Sequence, residues 1–179
     1  MLEKIVKIKG RNTFEKKVIR LAIFVWNLII YSIPLNLFEH RIIPIPQPIL
    51  NFLASIEGSL LSYVGISVAI SHNVISACGV SFEIIDRCSG YKSFFGLFAI
   101  IMATPTKSIK NRLKWFLYLA PFALLTNIIR IFSTIFLHCV YKMDIYFIHN
   151  ILWQILTTST VIILWIIFLV KNKQELIEF

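Results

Sequence analysis

"WFLYLAPFALLTNIIRIFSTIFLHCV", residues 115–140, carries one formal charge, Arg130, in a run longer than the roughly 20 apolar residues that cross a ~30 Å hydrocarbon core. Read as a helix it spans a bilayer, and the rest of the chain is placed around it. Similar apolar runs recur at 21–38, 93–106 and 150–170. Across the 179 residues, 58% are hydrophobic and the mean hydropathy is +0.78, far above soluble usage. The expected fold class is therefore an all-α polytopic membrane protein with about four transmembrane helices, at 21–38, 88–106, 115–140 and 149–170. The second reaches spanning length only if it starts near Cys88 and takes in Lys92, whose apolar stem lets the ammonium snorkel outward.

Charge orients the spans. The segment 1–20 carries Lys4, Lys7, Lys9, Arg11, Lys16, Lys17 and Arg20. The loop 107–114 carries Lys107, Lys110, Arg112 and Lys114, and the tail 171–179 carries Lys171 and Lys173. The positive-inside rule puts all three in the cytoplasm, both termini included, so residues 39–87 and the loop 141–148 lie outside. The net charge of +9 is read as topology, because the basic residues flank apolar spans instead of forming a stripe interleaved with aromatics. The bilayer is the expected partner, and nucleic acid is not. No small-residue cleavage site follows the first apolar run, which reads as a retained anchor of a single membrane domain covering residues 1–179.

Within the outer segment, Pro44, Pro46 and Pro48 predict a stiff extended connector. Residues 49–65 predict an amphipathic helix, with Asn51, Ser55, Gly58, Ser59 and Ser62 opposite Leu53, Ile56, Leu60 and Val64. Glu57 inside it favours an interfacial or bundle-packed helix over a span. The following "GISVAISHNVISACGVSFEIID", residues 65–86, is rich in Val and Ile with turn chemistry at His72 and Asn73, so a small extracytoplasmic β-hairpin-like cap is expected. His40, His72, Glu57, Glu83 and Asp86 are expected to face solvent or a partner.

The chemistry concentrates at the outer ends of the spans. At 1.5 Å per residue, Arg130 stands about 24 Å above Lys114, Cys88 about 24 Å above Thr104, and His149 about 33 Å above Lys171. These three share one outer layer. A guanidinium in a span is costly enough to signal function, with snorkelling as its bland alternative. Asn127, Arg130, Thr134 and His138 follow at helical spacings and draw a polar stripe that points into the bundle. Cys88, taken as a helix start flanked by Arg87 and Lys92, sits where a thiolate is favoured. The bland reading is a small packing hydrophobe. Cys78 and Cys139 read as packing residues, with a disulfide through Cys78 the alternative outside the cytoplasm. No CxxC pair or Cys/His metal spacing occurs, so neither a metal nor another cofactor is expected. His149 and His138 compete as acid/base, and spacing alone does not choose between them.

"CSGYKS" at 88–93, "NIIR" at 127–130 and His149 opening the last span resemble the exosortase/archaeosortase family of membrane protein-sorting enzymes. The resemblance runs over roughly residues 50–165. It implies a cysteine transpeptidase of the cell membrane, with its active site on the extracytoplasmic side. Cys88 would be the nucleophile, Arg130 the cation that stabilises thiolate or oxyanion, and His149 the proton donor, with Asn127, Ser89, Gly90, Lys92 and Ser93 supporting. His138, the alternative acid/base, has no counterpart in the motif. The implied substrates are exported proteins ending in a short motif, a hydrophobic helix and a basic cluster, with a lipid or glycan as acceptor. The rival reading is a non-enzymatic membrane subunit that binds an acidic helix or lipid headgroup through Arg130. A transporter is disfavoured, since the spans hold no paired acids and no inverted repeat.

Overall fold

A computed structural model of the chain describes residues 13–106 and 108–173, excepting the side chains of residues 13, 14, 16, 149, 150 and 152. The expectations resting on Lys4, Lys7, Lys9, Arg11, Lys107 and the side chain of Lys16 lie outside the described residues.

The first apolar run forms α1 (Thr13–Tyr31) and α2 (Ile33–Glu39). They meet at Ser32, where Pro34 at the second position of α2 suits a helix start and not a helix interior. The amphipathic helix is α3 (Gln47–Tyr63), followed by a sheet, α4 (Tyr91–Ala103), α5 (Ile109–Tyr141) and α6 (Trp153–Lys171). Lys17–Glu39, α5 and α6 are long and apolar enough to cross a membrane. Their outward faces are apolar, as at Trp26, Leu117, Phe122, Ile155 and Ile163, the inverse of a water-facing helix. The protein is a membrane protein.

The predicted second span, 88–106, is shorter as built. At about 20 Å, the 13 residues of α4 fall short of a hydrocarbon core on their own. It begins only at Tyr91, because residues 86–90 form a 3₁₀ turn and a left-handed Gly90. It stops at Ala103, because Thr104 is extended ahead of Pro105. Arg112, counted above in the basic loop 107–114, is buried on α5 and donates to the carbonyls of Met102 and Thr104 at the C-terminal end of α4. There the guanidinium meets both the unpaired carbonyls and the negative end of the helix dipole.

The longest helix, α5, is the spine of two cores. Its N-terminal half gives Phe116, Leu119, Ala120 and Ala123 to a cluster with Leu97 and Ile101 of α4 and Leu164 and Phe168 of α6. Its C-terminal half gives Ile131 and Ile135 to a second cluster with Leu50, Ala54 and Leu61 of α3, Ile75 and Ala77 of the sheet, and Cys88. The face that α3 buries is Leu50, Ala54, Glu57, Gly58 and Leu61. The expected apolar face fails at Leu60 and Val64, which are exposed. Gly58 lies on the buried face, where a Cβ would meet the end of the Ile70 side chain of the sheet.

The cap is a three-stranded antiparallel meander, β1 (Val68–Ser71), β2 (Val74–Ala77) and β3 (Val80–Glu83), one strand more than the hairpin expected. Its second turn, Cys78–Gly79, has positive φ at both residues, 56° and 81°, as a type I′ turn requires. That turn is tied to the far end of α5 by a Cys78–Cys139 disulfide across 61 residues of chain. The reading of these cysteines as packing residues is thereby corrected, and Cys88 is left as the free thiol.

Candidate functional site

The segment before α4 is held from α5. Ile85 is extended, Cys88 closes the 3₁₀ turn by donating its N–H to Ile85 (2.7 Å), and Ser89 donates to Asp86 (3.0 Å). Cys88 is thus not a helix start but lies three residues ahead of one. Gly90 then turns the chain with φ of 82°, and a Cβ there would stand 3.0 Å from Asn127. Backbone conformation and close approach both require glycine. Asn127 uses that proximity to donate from Nδ2 to the Cys88 carbonyl at 2.7 Å. One turn along, Arg130 donates from Nη2 to the Arg87 carbonyl at 3.0 Å. Two successive carbonyls are therefore fixed by two side chains of one helix face, which is the polar stripe read from the sequence. Thr134 continues it, buried, its hydroxyl donating to the Arg130 carbonyl at 2.8 Å.

Arg130 keeps part of its hydrogen-bonding capacity free, since its Nε is buried without a partner. Among the described residues, Cys88 and Glu57 act on it electrostatically. Cys88 is 8% exposed and packs into the cluster beneath the cap. A cavity of about 430 Å³ opens between α4, α5 and α6, bordered by Arg87 and Gly90 to either side of Cys88 and not by Cys88 itself. Arg87, Gly90, Lys92, Ser93, Asn127 and Arg130 line it on one side, Gln154, Thr157 and Thr158 of α6 on the other. The lining holds three cations and no carboxylate, so its field favours anionic or developing negative charge.

Other candidates separate. Lys92 borders the cavity, but its ammonium is paired with Glu39 at 2.8 Å, and the Tyr91 hydroxyl donates to the same carboxylate at 2.6 Å. That pair clamps α2 to α4, so Lys92 is not free to tune Cys88 as its spacing suggested. The Ser89 hydroxyl is buried without a partner. His138 contacts the edge of Phe82 and bonds through Nδ1 to the Met143 carbonyl at 3.0 Å, which commits it to the cap and the outer loop. Residue 149 falls in a π-helical segment, Phe147–Leu152, that packs on α5 and precedes α6, instead of opening the α-helix itself. The side chain of His149 lies outside the described residues. No three His, Cys, Asp or Glu side chains converge among the described residues as a metal site requires.

Sequence reasoning missed two carboxylates. Glu39 ends the first apolar run, with no local pattern linking it to Lys92, 53 residues later. Glu57 was expected to face solvent or a partner. It is 0% exposed, on the face that α3 turns to α5 and the sheet. The spacing Leu50, Ala54, Glu57, Leu61 is itself a helical stripe and could have placed it inside.

The family model described as transmembrane exosortase matches residues 13–170 of this chain. No curated protein and no solved structure matches it.

Proposed function

The chain belongs to the transmembrane exosortase family, a membership that carries a protein-sorting role in the membrane, and from that premise we propose a specific reaction. The protein is a cysteine transpeptidase that cleaves the C-terminal sorting signal of exported proteins through a thioester on Cys88. It acts at the outer face of the cell membrane. The observation that carries this reading is the pair of bonds by which Asn127 and Arg130 hold the Cys88 and Arg87 carbonyls, tying the segment of the free thiol to a guanidinium with which that thiol interacts electrostatically. The Cys78–Cys139 disulfide on the same side of the fold supports an oxidising, extracytoplasmic location.

The residues divide the work. Arg130 favours the thiolate, and Cys88 attacks the scissile carbonyl. The oxygen that becomes negative is stabilised by the same guanidinium, whose side chain borders the cavity. As the C–N bond breaks, His149 gives its proton to the leaving amine, and the exported portion stays on sulfur as a thioester. A lipid or glycan amine or hydroxyl then attacks, returning a proton to His149 and the thiolate to Cys88. A substrate anchored by its own apolar helix presents one bond at this depth, so that positioning is nearly intramolecular.

Tested in proteoliposomes, the full chain should shorten a peptide made of a polar segment, an apolar helix and a basic cluster. Cleavage should fall at the outer end of that helix and be lost after iodoacetamide treatment, since Cys88 is the free thiol. Shortening that survives alkylation, or none from untreated protein, would contradict the reading and favour the non-enzymatic subunit.

A further inference from the structure

Glu57 is a buried acid that the proposed reaction does not use. It is fully enclosed, and neither carboxyl oxygen has a hydrogen-bond partner. Arg130, on the helix against which α3 packs, has a buried Nε with no acceptor, and the two groups interact electrostatically without a direct ion pair. Gly58 lets α3 seat against Ile70, and Ala54 and Leu61 close the same face over α5 and the sheet.

A carboxyl in such a place has one low-cost state. Ionised and without hydrogen bonds, it suffers the full desolvation of a buried charge; protonated, it suffers only that of a polar group. Glu57 lies on α3, outside the candidate spans, and burial pushes its pKa up to about 8 against the pull of Arg130. The elements packed on α3 bring little else that titrates. β1 and β2 have no ionisable side chain, and α5 brings Arg130 and, further out, His138, which is bound to Met143 and Phe82. Cys88 joins them from the 3₁₀ turn.

We propose that Glu57 is a positioning residue that acts through Arg130, setting how much positive charge the guanidinium presents to Cys88. With Glu57 neutral, Arg130 is uncompensated and its field falls on the thiol. With Glu57 ionised, the same cation is shared between two anions and the thiolate loses support. Proton loss from Glu57 therefore weakens the support that Arg130 gives to negative charge on Cys88. The proposal rests on the reading of Cys88 as the nucleophile, but its test needs no substrate.

The readout is the rate of Cys88 alkylation by iodoacetamide between pH 6 and pH 9, on the full chain in proteoliposomes. Glu57→Gln should match the native protein within about twofold at pH 6 and exceed it by about threefold or more at pH 9, because it removes only the ionising step. Glu57→Met, of similar volume, should follow Gln if the amide disturbs folding, while Glu57→Asp should keep the flattened native profile. Profiles for Gln and Met that run parallel to the native one across the range would overturn the proposal. That failure would leave cleavage by Cys88 standing. Conversely, a Cys88→Ala variant that still cleaves would remove the nucleophile without touching the measured coupling.

Discussion

Cys88→Ala is expected to slow the shortening of a tailed substrate by at least about a thousandfold while leaving the fold intact. The reasoning is local. The thiol packs with Ile84, Ile131 and Ile135, and alanine removes one atom beyond Cβ from that cluster, a small loss of packing. The bonds that shape the segment, from Asn127 and Arg130, go to backbone carbonyls and survive the substitution. Of the hydroxyls nearby, that of Ser89 is buried, and those of Ser93, Thr157 and Thr158, which line the cavity, are weaker nucleophiles than a thiol. Persistence of the Cys78–Cys139 disulfide on a non-reducing gel reports that the variant is folded. Undiminished cleavage would remove Cys88 from the mechanism.

Arg130→Lys should cost about a hundredfold or more, although it keeps the charge. In the native protein the guanidinium does two things at once. One nitrogen holds the Arg87 carbonyl at 3.0 Å, and the same side chain borders the cavity and interacts electrostatically with Cys88 and Glu57. A lysine ammonium is a point charge that can satisfy the carbonyl or the reacting oxygen, but not both in fixed geometry. The loss should appear mainly in kcat, because the interaction with the developing oxyanion exists only in the transition state. Near-native turnover of Arg130→Lys would reduce the residue to an interfacial anchor, the snorkelling alternative.

Much of the architecture follows from runs of apolar residues and from where the basic ones stand. The candidate spans near 21–38, 115–140 and 149–170 correspond to Lys17–Glu39, α5 and α6, and the amphipathic segment 49–65 to α3. The polar stripe on α5 was legible because Asn127, Arg130 and Thr134 share one helix face, and a single face needs no tertiary information. What failed were features decided by neighbours in space. Lys92 was read as a flank of Cys88 because it is near in sequence, yet its partner is Glu39 on α2. Cys88 was placed at a helix start because hydropathy does not register the left-handed turn at Gly90. Arg112 carried the sign of a cytoplasmic loop and still folded inward to cap α4. Glu57 was taken to face solvent or a partner because it lies on the outer segment, where most carboxylates do, whereas the packing of α3 on α5 and the sheet encloses it.

The thioester is the most direct test of the account. Full-length protein in proteoliposomes is mixed with the tailed peptide, quenched in acid and measured by intact mass. The account predicts a mass increase equal to the exported portion of the peptide, mapped to Cys88, discharged by hydroxylamine and absent from Cys88→Ala. A peptide that is cut while Cys88 stays unmodified at every time sampled, or an adduct on any other residue, would contradict it.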